Sequence, residues 1–469
     1  MIVKNKLAKK YGLLMAICMV VGIVIGSGVF FKGQDILRHT GGNMYLGILS
    51  WIIGGIVMII CALTFAKFAS RYEKVNGIVD YAENIVGEKY GYIVGWFTSI
   101  IYFPAMTSVL AWVSARYTLV LFGSSDISGG LCMMLSGVYL VAAYALNALS
   151  PKLAGKFHVS ATIIKLIPLL VMLVVGSVCG FVNGNFNVAF AAANVSDVGF
   201  DSIFSAIVAA AFAYEGWIIA TSINAELKDS KKNLPIALMI GTIIIMSIYV
   251  FYFIALAGGA SIETLINKGA PEAFSNLFGN VGGTIFNAFI VVSCLGTLNG
   301  LMLASTRGLY SLAIRNKGPN PRVFSQVDSE TNSPSNSGII EVLICILWLF
   351  YFFGANLFEK PLFGIFSFDS SELPIITTYA VYLPIFIVFI VKEIKQKRYK
   401  EIVLPALAVI CCLFMIFSAF YAHGIVPYKA ALEKGEFAFP ILFYLIIFVI
   451  IMLIGILFEK SSNKKNKGE

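Results

Sequence analysis

Chemistry is available at three places in this chain. The run Val21-Gly22-Ile23-Val24-Ile25-Gly26-Ser27-Gly28-Val29-Phe30 sets two glycines around a serine inside an apolar segment. Glycines there weaken a helix locally and open main-chain N–H groups at the start of a half-helix, where amides and dipole suit a carboxylate. Gly22 and Gly26 also form a small-xxx-small pair, which on its own is a helix-packing contact. The second place, Phe212-Ala213-Tyr214-Glu215-Gly216-Trp217, interrupts another apolar run with a carboxylate and a glycine. A carboxylate at the centre of an apolar span costs about 2.5–3.5 kcal/mol on insertion scales, so Glu215 marks either function or a specific hydrogen bond. Its aromatic neighbours Phe212, Tyr214 and Trp217 read as helix packing, except that Phe212, beside a break, can close over a bound molecule as a gate. The third place is Lys165, flanked by apolar residues on both sides where snorkelling to water is hard. It should point inward, to an anion or to helix C-terminal carbonyls. Arg116 lies nearer a segment end and reads as structural, and Arg307 reads as a topology or salt-bridge residue.

Membrane helices must position these groups. Of 469 residues 59% are hydrophobic and 13% charged, with mean hydropathy +0.87, against about 25% charged in ordinary globular domains. That composition excludes a soluble enzyme and a large ectodomain. Apolar segments fall near 11–32, 45–70, 91–123, 129–149, 157–182, 203–224, 235–260, 282–313, 338–356, 364–391, 402–422 and 436–458. They predict an all-α integral membrane protein of twelve helices in a single domain, 1–469. Pro104, Pro168, Pro374 and Pro384 fall within such segments, which lipid tolerates only where neighbours or a cavity satisfy the freed backbone. With the N-terminus in the cytoplasm, 26 of the 34 Lys and Arg residues fall on the inner side and 6 on the outer, leaving Arg116 and Lys165 within segments. This fits the positive-inside rule and predicts a multi-pass plasma-membrane protein with both termini cytoplasmic, probing no nucleic acid. The eight cysteines show no ligand spacing and read as packing residues, while His39, His158 and His423 are scattered at segment ends. No enzyme chemistry, metal or cofactor is expected. Breaks at Gly26-Ser27-Gly28 and Gly216 interrupt corresponding segments of two halves, the pattern that points to a transporter site.

Gly26-Ser27-Gly28-Val29-Phe30 resembles the GSG(I/V)F signature of the amino acid–polyamine–organocation superfamily. Phe212 to Trp217, with Asn224-Ala225-Glu226-Leu227 and Asn233-Leu234-Pro235, resembles its sixth helix and following loop. Asn76-Gly77 with Tyr81, Gly95-Trp96, Leu298-Asn299-Gly300, Ser305-Thr306-Arg307 and Phe366-Ser367-Phe368 extend the likeness over nearly the whole chain, toward the L-type amino acid transporter branch and its bacterial relatives. The resemblance implies a LeuT-like inverted five-plus-five repeat with broken helices 1 and 6, repeat one about 11–182, repeat two about 203–391, and two further helices about 402–458. It implies that Ser27 and Gly28 amides bind a substrate carboxylate, that carbonyls around Val24, Ile25, Phe212 and Ala213 hold its amino group, and that Phe212 is the gate. Gly26, Tyr214, Glu215 and Gly216 complete the expected binding set. Lys165 matches a lysine that occupies the space of a sodium ion in sodium-independent members, and Lys165 and Glu215 are the expected coupling residues.

The chain departs from many relatives at Asp369-Ser370-Ser371-Glu372, where polar groups replace apolar or aromatic ones and are expected to shape the side-chain pocket. The resulting expectation is a sodium-independent amino acid transporter working by alternating access, as exchanger or proton symporter, without an accessory subunit. The alternatives are a polyamine or cationic amino acid carrier, with Glu215, Asp369 or Glu372 pairing with a distal amine, and a non-transporting amino acid sensor.

Overall fold

The computed structural model describes residues 12–71, 77–191, 199–218, 227–331, 333–358 and 360–465. The first apolar segment is split into α1 (Leu13–Val24) and α2 (Gly28–His39). α3 (Met44–Arg71) and the short α4 (Ile78–Ile85) follow. α5 (Glu88–Phe97) passes through a π-helical turn, Thr98–Tyr102, into α6 (Phe103–Leu121). α7 (Gly130–Leu149) precedes α8 (Pro151–Ile164) and α9 (Leu166–Val182), which meet at Lys165, and α10 (Asn185–Ala189) is short. α11 (Ile203–Tyr214) ends at the second break. Then come α12 (Ser230–Gly259), α13 (Ile262–Lys268), α14 (Ala270–Thr306), α15 (Gly308–Ala313), α16 (Pro321–Phe324) and α17 (Ser335–Asn356). α18 (Leu373–Lys395) and α19 (Val403–Phe420) lead through a second π-helical turn, Tyr421–Ile425, to α20 (Val426–Leu432) and α21 (Pro440–Lys465).

Among the described residues, ten helical stretches are long and apolar enough to cross a bilayer, and α1 and α11 contribute shorter apolar helices. The protein is thus the all-helical, multi-pass membrane protein its composition predicts. Its outer helices turn their apolar stripe outward: in α9, Ile167, Leu170, Val174, Val178 and Phe181 are exposed at spacings of three and four, as a lipid-facing helix surface requires. Lipid offers no hydrophobic drive for helices to associate, so close approach and dispersion do it. Where α9 crosses α12, a Cβ on Gly258 would fall 1.9 Å from Gly176 O, and one on Gly176 would fall 2.4 Å from Ala255 O. The two backbones touch because neither helix carries a side chain there.

The broken helices occupy the interior. Every residue of α11 from Ser205 to Tyr214 is buried, as are Gly28 to Gln34 of α2, and α2, α3 and α19 are among the helices that pack on α11. Basic residues counted as topology signals close the helix ends with acids. Arg71 reaches Glu393 at 2.5 and 3.1 Å, Lys67 reaches Glu401 at 2.9 Å, and Arg315 reaches Asp80 at 2.9 Å. The N-terminal basic run Lys4–Lys10, Lys74, Asn76 and Asn224-Ala225-Glu226 lie outside the described residues.

Candidate functional site

The first break is a change of backbone state. α1 stops at Val24, Ile25 takes an extended conformation (φ −65°, ψ 103°) and α2 restarts at Gly28. The last carbonyls of α1 and the first amides of α2 therefore lose their intrahelical partners. Other elements satisfy the carbonyls. Lys165, buried at the α8–α9 junction, donates its Nζ to Gly22 O. The Tyr249 hydroxyl of α12 lies 3.1 Å from Val24 O and 3.1 Å from Ala213 O; with one hydrogen it donates to one of them at a time. Tyr249 thereby ties the two breaks together.

At the second break Glu215 is extended (φ −71°, ψ 157°) and Gly216 sits at φ +106°, a region only glycine enters without strain. The breaks meet backbone to backbone: a Cβ on Gly28 would lie 2.6 Å from Ala213 Cα. Gly28→Ala is therefore expected to force the half-helices apart and lower transport by about tenfold or more, the consequence of a displacement near 1 Å at a binding centre. An unchanged uptake rate would contradict that packing. Gly22 abuts Thr162 and Gly26 abuts Thr297, so the small-xxx-small pair serves packing and the break at once.

Around the breaks lies a cavity of about 310 Å³, lined by Val24, Gly26, Ser27, Gly28, Phe212, Ala213, Glu215 and Gly216, with Lys165 behind. Ser27 Oγ is buried at the cavity wall beside the Cys294 thiol, its hydrogen-bonding neighbour. Glu215 Oε1 accepts a 2.6 Å bond from the Tyr102 hydroxyl, which the π-helical turn at Thr98–Tyr102 delivers; such turns recur at functional sites. Phe212 lines the cavity and stacks edge-on to Phe31, centroids 5.2 Å apart. Of the expected set, Ile25 and Tyr214 lie outside the lining: Ile25 is fully buried, and Tyr214 donates to Trp51 O at 2.9 Å. Trp217 packs between Phe65 and Tyr382 in the core.

Two expectations change. Asp369 and Glu372 do not line this cavity. Glu372 accepts from Lys32 Nζ at 2.6 Å and from His423 Nε2 at 3.1 Å, and Asp369 accepts from the Ser371 and Glu372 amides to start α18. A buried carboxylate needs its partners inside the protein, so Glu372 is already committed. Lys32, counted as an outer-loop charge, is buried in that ion pair, its Nζ also 5.2 Å from the Phe212 ring centroid. Arg116 stacks on Trp112 at 5.6 Å and stays structural. Arg307, read as a topology or salt-bridge residue, is exposed and also lines the cavity with His158, Asn147 and Asn299. Sequence reading missed Tyr102, Tyr249, His158 and Asn147 because nothing local distinguishes a cavity-facing side chain from a packed one.

A helical bundle whose two interrupted helices meet around an internal cavity with a few convergent polar groups has the build of a membrane transporter. The amino acid permease family model matches residues 11–453. The serine/threonine exchanger SteT of Bacillus subtilis is 31% identical over 78% of this chain and 82% of its own length. The human cystine/glutamate transporter is 24% identical over 89% of the chain and 82% of its own length, and the mouse large neutral amino acids transporter small subunit 2 is 27% identical over 73% of the chain and 65% of its own length. The chain belongs to the amino acid permease family of the amino acid–polyamine–organocation superfamily.

Proposed function

We propose that this protein is a sodium-independent exchanger of small polar amino acids that works by alternating access. The carrying observation is the meeting of the two breaks, with Gly28 against Ala213 and Ser27 at the cavity wall. There the first amides of α2 receive the substrate carboxylate, and the carbonyls of Val24 and Ala213, which share the Tyr249 hydroxyl, receive its ammonium. In this reading the ten long stretches and the two broken segments make twelve crossings, arranged as the inverted repeat the resemblance implies, with both termini cytoplasmic in the plasma membrane. Lys165 takes the place of a coupling cation by bonding Gly22 O. Phe212 closes over the bound amino acid. One carboxylate, Glu215, lines the cavity, and with Tyr102 it suits a hydroxyl or amide side chain; the SteT relative is named for serine and threonine.

Glu215 also favours a second reading, a carrier for cationic amino acids or polyamines, with proton symport as the matching coupling. Counterflow in sodium-free proteoliposomes, with unlabelled serine, threonine, leucine, arginine and putrescine as competitors and with or without a proton gradient, separates the readings. Competition by serine and threonine without a gradient requirement is expected. Competition by arginine or putrescine alone favours the second reading, gradient-driven uptake without exchange favours symport, and binding without flux favours a sensor. Glu215→Gln keeps an acceptor for Tyr102 but loses the charge-assisted part of the bond, about 1 kcal/mol, so exchange should fall about fivefold; complete loss would give the carboxylate a proton-carrying role.

A further inference from the structure

We propose that the cavity holds a second, outlying amino acid position at Arg307 and His158, where the substrate pauses between solvent and the helix breaks. This rests on the transport reading above.

The cavity is longer than the break. Beyond Gly22 and Lys165 it continues past His158 and Ala154 on α8, Asn147 near the end of α7, Asn299 and Gly300 on α14, and Arg307 just after α14. His158 and Lys165 stand seven residues apart, about 10 Å along a helix at 1.5 Å per residue. An amino acid at the breaks therefore leaves the outer part of the corridor unfilled.

The polar groups of that outer part have fixed hydrogen-bonding senses. His158 Nδ1 lies 3.2 Å from Gly296 O. A carbonyl only accepts, so Nδ1 carries the hydrogen and neutral Nε2 is an acceptor. Asn299 Nδ2 donates to Ala154 O at 3.1 Å, which turns Asn299 Oδ1 to receive Asn147 Nδ2 at 2.8 Å. Asn147 Oδ1 is thereby left as a buried acceptor with no partner among the described residues. Arg307 supplies the opposite sense. It is exposed at the cavity wall, and no ion pair joins it to an acid among the described residues, whereas Arg71, Arg315 and Lys67 all hold carboxylates. Guanidinium matches a carboxylate with two parallel bonds, and a ring nitrogen with a lone pair accepts from an ammonium. The two together fit a zwitterionic α-amino acid. Glu215, at the far end, is the one carboxylate of the lining among the described residues, so the corridor mouth attracts the carboxylate end first.

The test measures half-saturation from each face separately, in proteoliposomes of one orientation loaded for exchange, with radiolabelled L-serine or the best competitor of the panel. Arg307→Gln is expected to raise the half-saturating concentration about tenfold from the Arg307 face, with the opposite face and the maximal rate each within about twofold of the parent. Arg307→Lys, which keeps the charge, should stay within about threefold. Choline chloride at 0.5 M should weaken the parent at that face, since screening shortens to a few ångströms, and leave Arg307→Gln unmoved. If Arg307→Gln fails to fold, His158→Leu, which removes the acceptor, should raise the same face's value about fivefold. Equal shifts at both faces, or none, overturn the outlying position. A parent that moves no amino acid from either face overturns the transport reading itself.

Discussion

Lys165→Ala is expected to lose about a hundredfold in amino acid transport rate, equivalent to about 2.7 kcal/mol, while melting within about 5 °C of the parent. The reason lies in what Lys165 competes with. Gly22 O is the carbonyl that would accept from the Gly26 amide if α1 continued as a regular helix. Ile25 breaks that pattern, and the Lys165 ammonium occupies Gly22 O in place of the amide. Without the ammonium, Gly22 O is left buried and unpaired at a cost of about 1–3 kcal/mol, which the helix relieves by healing across Gly26. A healed helix buries the amides that would receive the carboxylate. Folding suffers less, because removing a buried charge also removes its desolvation cost. Lys165→Met keeps the volume and should be as inactive as alanine, which separates charge from packing. Normal uptake in a folded Lys165→Ala protein would end the role assigned to it.

Glu372→Ala is expected to destabilise the protein by about 3–5 kcal/mol, read as a fall in melting temperature and in membrane abundance. The Lys32 and Glu372 side chains are 4% and 7% exposed, and deleting Glu372 leaves the buried Lys32 ammonium with only the longer, partly exposed contact to Asp35 at 3.5 Å among the described residues, a poorly compensated buried charge. The double variant Lys32→Met/Glu372→Leu should recover most of that loss, because well-packed apolar residues replace a buried pair at little cost. Recovery of stability need not bring recovery of transport. The pair joins α2 to the start of α18, and His423 adds the π-helical turn after α19. Its ammonium also lies 5.2 Å from the Phe212 ring centroid. If Phe212 moves over a bound amino acid as proposed, this contact must break and re-form in each cycle. The double variant is therefore expected to be stable and to exchange at least about fivefold more slowly or more rapidly than the parent. A Glu372→Ala protein that melts with the parent would show that the pair is not buried in the membrane-embedded protein.

Much of this was legible in the residue string. Helices and membrane embedding follow from apolar runs, which need no tertiary information because lipid satisfies no backbone group. The breaks were legible because glycine and serine interrupt those runs, and Lys165 and Glu215 because charge inside an apolar segment requires a partner. The partners were not legible. Glu372 looked available for a substrate amine and is held by Lys32 and His423; Arg307 read as a topology or salt-bridge residue, and nothing in the string showed that it also lines the cavity. Tyr102 and Tyr249 resemble any of the other tyrosines until a π-helical turn and a helix crossing direct their hydroxyls at Glu215 and at the carbonyls of both breaks.

The sequence by itself determined that this is a helical membrane protein, where its helices fail, and which charges lie too deep to be incidental, since each follows from the cost of placing a given group in hydrocarbon. Tertiary structure alone decided which buried charges are spent on one another and which remain for a ligand. That choice depends on distances of about 3 Å between residues up to 340 positions apart, and no local pattern encodes them.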